Sequence, residues 1–266
     1  MFVKGYCLLA MFRQVFFEIR FIQKREPRCK DIEQFPNLKE SMGGHYAGEN
    51  YGSADIALQY GGPWDPWSNW NADDKPHLQK NAEKYGCNIP WLILMDPTSA
   101  CNMHCTGCWA AEYGHRQSLT FEEMDRVLTE AKELGTHACL FTGGEPLLRR
   151  KDIIRLCEKH RDIAFHAFTN GTLIDQAFCD ELKRVGNFIV SVSIEGFEDA
   201  NDGRRGAGHF EKALAAMDLM HKNRIPFGVS ICYTSKNYRV VTSDEFLDLL
   251  ISKGCYFAWY FHLSLI

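Results

Sequence analysis

Cys101-Asn102-Met103-His104-Cys105-Thr106-Gly107-Cys108 places three thiols within eight residues, a spacing that lets them converge on one soft metal centre. Cysteine thiolates suit zinc or iron–sulfur clusters. A closed structural zinc site wants a fourth cysteine or histidine at ligand spacing. His104 lies inside the first loop, poorly placed for that role, and His115 is the other near candidate. Three protein ligands leave one position open, and an iron–sulfur cluster held in that way keeps one iron free to act as a reagent.

The loop sits in a βα repeat. From residue 91 onward, six short apolar runs alternate with helical patterns, at 91–96, 137–142, 163–169, 188–194, 227–234 and 256–263. Such alternation predicts an α/β fold with a parallel sheet. Phe121, Met124, Leu128 and Ala131 share one helical face, with Gly135 closing the helix and Thr120 and Glu123 forming a capping box at its start. A second capping box, Thr242 with Glu245, is expected to open the helix that carries Phe246, Leu249 and Leu250. Six runs are too few for a closed eight-stranded barrel of about 250 residues, so a partial, open barrel is predicted. Chemistry in such folds sits at the C-terminal ends of the strands.

The three-cysteine loop follows the first run. The second run ends in Thr142-Gly143-Gly144-Glu145-Pro146. Two glycines there allow a close backbone approach to a ligand, and the carboxylate can accept from an ammonium group. Gly-Gly is also a common strand-to-helix turn and Glu-Pro a solvated helix start. Thr169-Asn170-Gly171 ends the third run, and Ser193 and Glu195 share one side at the end of the fourth.

The pairing of Cys101-x3-Cys105-x2-Cys108 with Gly143-Gly144-Glu145-Pro146 one βα unit later resembles the radical S-adenosylmethionine (radical SAM) superfamily, over roughly residues 90–262. The resemblance implies a partial (β/α)6 barrel with a [4Fe-4S] cluster on the three cysteines and S-adenosylmethionine chelated to the open iron. Reductive cleavage to methionine and a 5′-deoxyadenosyl radical would then abstract hydrogen from a substrate. It further implies that Ser193, Glu195 and Asn170 serve the cofactor. Asp202-Gly203-Arg204-Arg205-Gly206-Ala207-Gly208-His209-Phe210 is similar to an Asp-x-x-Arg-Gly-x-Gly-x-Phe stretch of the cofactor- and peptide-maturing branch. That similarity makes Arg205 a candidate for the cofactor carboxylate and Arg204 the surface residue of the pair. The aromatic residue that the family places just before the third cysteine is replaced by Gly107, and Trp109 is the candidate substitute near the adenine. The same resemblance implies a reductant such as flavodoxin or ferredoxin, and a peptide or small organic substrate. A zinc-binding structural protein and an inactive fragment retaining only the cluster site are the alternatives.

The chain is expected to divide into an N-terminal extension over 1–89 and the barrel over 90–266. The maturase branch continues into a cysteine-rich C-terminal domain, which is expected to be absent, so the chain reads as truncated or completed by a partner. In the extension, Phe12, Phe16, Ile19 and Phe21 suggest an amphipathic helix docked on the protein. Residues 24–90 read as irregular, with Trp64, Trp67 and Trp70 in a packed loop beside Pro63 and Pro66. Lys4, Arg13, Glu18 and Arg20 interrupt the first segment, so no membrane span of roughly 20 residues is expected, nor a signal peptide. Thirty basic against 34 acidic residues give a net charge of −4, which argues against a nucleic-acid surface. Eleven cysteines spread through a chain of 266 residues fit a reducing cytoplasm. Cys139, Cys157, Cys179, Cys232 and Cys255 read as small buried hydrophobes.

Overall fold

A computed structural model of the protein describes residues 17–21, 75–110, 114 and 116–262. The tryptophan-rich loop at 64–70, Phe12, Phe16, His115 and the last four residues lie outside the described residues. Six strands follow the six apolar runs: β2 (Leu92–Met95), β3 (Ala138–Phe141), β4 (Ala164–Thr169), β5 (Phe188–Ser193), β6 (Gly228–Tyr233) and β7 (Phe257–His262). They pair in parallel and in sequence order, each neighbour hydrogen-bonded to the next. A seventh strand, β1 (Phe17–Phe21), adds antiparallel to β7, with Phe17 opposite Phe261 and Phe21 opposite Phe257. The amphipathic helix expected around Ile19 and Phe21 is therefore a strand. The sequence Phe17-Glu18-Ile19-Arg20-Phe21 alternates strictly apolar and polar, the period of a strand.

The connections are helical. Helix α1 (Lys75–Tyr85) lies in the stretch expected to be irregular. Then come α2 (Phe121–Leu134), α3 (Arg150–Lys159), α4 (Gln176–Val185), α5 (Glu198–Arg205), α6 (His209–Lys222), the single turn α7 (Tyr238–Val241) and α8 (Asp244–Ser252). The predicted α2 has the predicted limits, with the Thr120–Glu123 capping box formed in both directions and Gly135 in the left-handed conformation. The second capping box does not form. Thr242, at the end of α7, instead donates back to the carbonyl of Tyr238, the first residue of that turn, and Ser243 caps α8 by accepting from Phe246 N. Serine one residue later serves the same orphan amides.

One face of each strand packs on the helices. Met95, Phe141, Phe165, Ala167, Val190, Val192, Val229, Ile231 and Tyr260 join the buried core there, with Met124, Leu128, Ile153, Leu156, Phe178 and Leu182 from the helices. The alternate residues line the other face. On it, Phe168 and Phe261 stand 5.2 Å apart by ring centroid and His166 and Trp259 5.7 Å, although three strand intervals separate β4 from β7. In a flat sheet three intervals would span roughly 14 Å. The sheet is thus curled into a half-barrel, its concave face filled low down by His166, Phe168, Phe257 and Trp259. Gly228 makes room for this packing, since a β-carbon on it would lie 2.4 Å from the Phe257 ring. No helix among the described residues is long and apolar enough to cross a membrane.

Candidate cluster and cofactor site

The three cysteines lie on the loop after β2, at the C-terminal mouth of the half-barrel, each partly exposed. Three sets of hydrogen bonds hold that loop. On its entry side, Gly144 N donates to the Thr98 carbonyl at 2.9 Å and Glu145 N to the Ala100 carbonyl at 2.8 Å. These contacts explain the two glycines. A β-carbon on Gly144 would stand 2.1 Å from the Ala100 oxygen, and one on Gly143, at φ 100°, would stand 2.7 Å from the Thr98 oxygen. The close approach expected of Gly143 and Gly144 toward a ligand is, in the first place, an approach to the backbone that leads into the cysteine loop.

In the middle of the loop, the Asn170 amide donates to Asn102 Oδ1 at 2.8 Å, and Asn102 Nδ2 donates to Thr172 Oγ1 at 2.8 Å. Asn170 is thus more than a turn residue: it fastens the end of β4 to the segment between the first two ligands. On the far side, Thr106 N donates to the Arg204 carbonyl at the end of α5. Gly107, at φ 67°, adopts a left-handed conformation that a bulky aromatic would resist, which accounts for its presence in front of Cys108. Trp109 follows, 38% exposed at the mouth.

Glu145 is not a solvated helix start. It is 1% exposed, and its carboxylate accepts from Leu147 N at 3.0 Å, Thr169 Oγ1 at 2.7 Å and Asn170 N at 2.7 Å. Burial raises its pKa, opposed by those three donors. Pro146 opens the short 3₁₀ turn Pro146–Arg149 that Glu145 caps. Glu195 is fully buried, with Arg204 Nη1 at 2.6 Å and Arg205 Nε at 2.9 Å on one oxygen, and Cys232 N at 2.8 Å on the other. The expectation that Arg204 lies on the surface is therefore corrected: only 19% of its side chain is exposed, because consecutive residues at the last turn of α5 both reach one carboxylate. Both guanidinium groups lie near Cys105, whose thiol pKa is raised by burial and drawn back down by Arg205 and Arg204. Ser193, 8% exposed, points from β5 into the same mouth. Cys139, Cys157, Cys179 and Cys255 are buried as expected; Cys232 is only half-buried and faces the mouth beside Glu195.

His209 completes the frame, and sequence reasoning did not single it out. Its Nε2 bonds to the Asn170 carbonyl at 2.9 Å and its Nδ1 receives the Asn201 amide at 3.0 Å, while Asn201 Oδ1 accepts from Glu195 N. With one nitrogen donating and one accepting, the ring is neutral, and burial together with Arg205 lowers its pKa. Asp202 caps the start of α6 through Phe210 N, fixing His209 in register. The Gly208-His209-Phe210 spacing after Asp202 was the available signal.

The donor set suits a cluster better than one ion. Among the described residues, no three His, Cys, Asp or Glu side chains gather closely enough to hold a single metal ion. Tetrahedral zinc with bonds of about 2.3 Å would demand thiols roughly 4 Å apart, whereas thiolates on a cluster bind separate irons.

Residues 95–250 match the model of the radical SAM superfamily. The chain belongs to this superfamily. It is similar to the Fe-coproporphyrin III synthase of Methanosarcina barkeri, 30% identical over 65% of this chain and 44% of that protein. It is also similar to the serine-type anaerobic sulfatase-maturating enzyme of Klebsiella aerogenes, 29% identical over 62% of this chain and 45% of that one. In fold it resembles the crystal structure of Streptococcus suis SuiB bound to precursor peptide SuiA, with a TM-score of 0.58 at 20% identity, over 85% of this chain and 49% of that one. The radical SAM chain described here spans less than half the length of these relatives, and its homologues include the peptide-maturing branch.

Proposed function

We propose that this chain is the half-barrel of a radical SAM enzyme, with Cys101, Cys105 and Cys108 as cluster ligands and S-adenosylmethionine seated among Gly143, Gly144, Asn170, Ser193, Arg205 and Trp109. One observation carries the reading: three partly exposed thiols share a loop that the ends of β3 and β4 and the last turn of α5 hold at the mouth of one half-barrel. A bound, reduced [4Fe-4S] cluster supplies the electron that splits the sulfonium and yields a 5′-deoxyadenosyl radical.

The protein's own groups prepare that event. Arg204 and Arg205, clamped by Glu195, place positive charge beside Cys105 and so reduce the repulsion among gathered thiolates. The rings of Phe168, Trp259 and Phe261 pack edge to face on the concave side of the sheet. A peptide substrate is supported by likeness to the sulfatase-maturating enzyme. A cofactor precursor of the tetrapyrrole kind is the second reading, supported by the identity with the coproporphyrin synthase. The electron would come from flavodoxin or ferredoxin in a reducing cytoplasm.

The test is anaerobic reconstitution with iron and sulfide, reduction with dithionite, addition of S-adenosylmethionine and chromatography of 5′-deoxyadenosine. Product that vanishes in Cys105→Ala is expected. Full cluster with no 5′-deoxyadenosine, or zinc in place of iron, would sink the reading.

A further inference from the structure

A groove of about 550 Å³ lies on the outer rim of the half-barrel, between the Pro146–Arg149 turn with the start of α3 on one side and the loop from β4 to α4 on the other. Its apolar lining comes from Leu147, Leu148, Leu173 and Ile174, and Leu148 is 43% exposed there. Its rim is cationic. Arg149, Arg150 and Lys151 are three consecutive basic residues in a chain whose net charge is −4. Asp152 and Asp175 answer the two arginines, each at 2.8 Å. Lys151 is exposed, and no carboxylate engages it among the described residues. Arg155, one turn further along α3 and 58% exposed, meets Asp152 only at 3.6 Å. The groove thus keeps a positive excess on a chain that is acidic as a whole.

The same groove touches the cysteine loop from outside. Thr172 lines it, and Thr172 Oγ1 accepts from Asn102 Nδ2 at 2.8 Å, next to Cys101. One hydrogen bond therefore joins the groove wall to the neighbour of the first thiol. A cluster on this loop needs an electron from another protein, and electron transfer weakens steeply with distance. Cofactor and substrate take the mouth, so a bulky donor has to reach the loop along the outer wall.

Resting on the function proposed above, we propose that this groove is the docking surface for a small acidic electron-carrier protein. Carboxylates of the carrier meet Lys151 and Arg155, and an apolar side chain of the carrier rests against Leu148. One electron then crosses by way of Thr172 and Asn102. The carrier is oxidised by that electron and the cluster is reduced by it, with no bond or proton exchanged. Electron-transfer complexes are small and transient, and opposite charge gives them speed more than tightness. An apolar floor inside a charged rim suits such an encounter.

The test compares two reductants on the cluster-loaded protein: dithionite, which needs no docking surface, and a flavodoxin kept reduced by its reductase. Two quantities are read, the rate of 5′-deoxyadenosine formation and the dissociation constant of the flavodoxin by titration calorimetry. Lys151→Glu should keep full iron and the dithionite-driven rate, while its flavodoxin-driven rate and flavodoxin affinity fall roughly fivefold or more at low ionic strength. Added salt should narrow that gap, because screening removes the attraction that the variant has lost. Leu148→Ala should lower the flavodoxin-driven rate about threefold at any ionic strength. Lys222→Glu makes the same charge change at the far end of the barrel, where α6 leads into β6, and should move neither quantity by more than about twofold. Flavodoxin-driven rates of Lys151→Glu and Leu148→Ala both within about twofold of the parent would overturn the proposal. An equal loss in Lys222→Glu would do the same, since net charge and not the groove would then be responsible. So would a matching fall in the dithionite-driven rate of Lys151→Glu, or a parent protein active with dithionite that neither binds the flavodoxin nor takes electrons from it. If the parent loads its cluster and forms no 5′-deoxyadenosine even with dithionite, the functional reading itself fails, and this inference with it.

Discussion

A methyl group on Gly144 would stand 2.1 Å from the Ala100 oxygen, a distance that only a backbone shift can relieve. The strand of contacts from Gly144 and Glu145 to the cysteine loop would slip, while the barrel core, which makes no use of them, would stay. Gly144→Ala is therefore expected to retain its helical circular dichroism and lose most of its cluster iron on desalting. Glu195→Gln acts through charge. It leaves Arg204 and Arg205 buried against a neutral amide, and breaking a buried ion pair costs about 3–5 kcal/mol. Urea unfolding should register a loss of that order. At this scale the cysteines and the Gly-Gly-Glu-Pro run were legible in the sequence because their spacing has few other uses. The partners of Glu145 and Glu195 were not, since they depend on where other strands end. Arg204 looked like a surface residue in a glycine-rich loop; only the final turn of α5 shows that both arginines reach inward.

Among the elements, α4 shows how a strand end is joined to the frame. Asp175 caps it by accepting from Phe178 N at 2.7 Å and pairs with Arg150 at 2.8 Å at the start of α3. The Arg150 guanidinium, then the Phe178 amide, hold its pKa below the ordinary aspartate value. The folded state thus keeps Asp175 ionised to lower pH than the unfolded chain does. Its contribution is complete above the ordinary aspartate value and is lost as pH falls through the depressed one. Asp175→Ala should cost about 1 kcal/mol at neutral pH, and the difference from the parent should disappear in acid unfolding below the usual carboxylate range. The strands β2 to β7 were readable because apolar runs bounded by turn residues recur with helical stretches between them. Strand β1 was missed for a physical reason: Phe12, Phe16, Ile19 and Phe21 mimic a helical face, and the alternation of residues 17–21 becomes decisive only when a neighbouring strand offers its edge.

Across the whole molecule, the concave face couples stability to pH through His166. Burial among Phe168, Phe257 and Trp259 lowers its pKa to about 3, and Ser191 Oγ is its hydrogen-bond partner at 2.8 Å. Below the ordinary histidine value of about 6.5 the unfolded chain takes up a proton that the folded one refuses, so stability falls as pH drops from there toward 3. The urea midpoint should be lower at pH 5 than at pH 7, and His166→Gln should flatten that difference. Deletion of residues 1–21 makes the matching test for the sheet. It would uncover the outer edge of β7, and an unpaired edge recruits other chains, so concentration-dependent association is expected by light scattering.

That antiparallel seam also sets a timetable. Strand β1 precedes the six parallel strands of the sheet along the chain, and its partner β7 comes after the other five. Each parallel strand pairs with one adjacent to it in chain order, but β1 must wait until all six of them have been made. Closing a contact so distant along the chain is slow. The final docking of β1 is therefore expected to be the late step of folding, and until it happens the newborn half-barrel carries an open flank for a chaperone to guard.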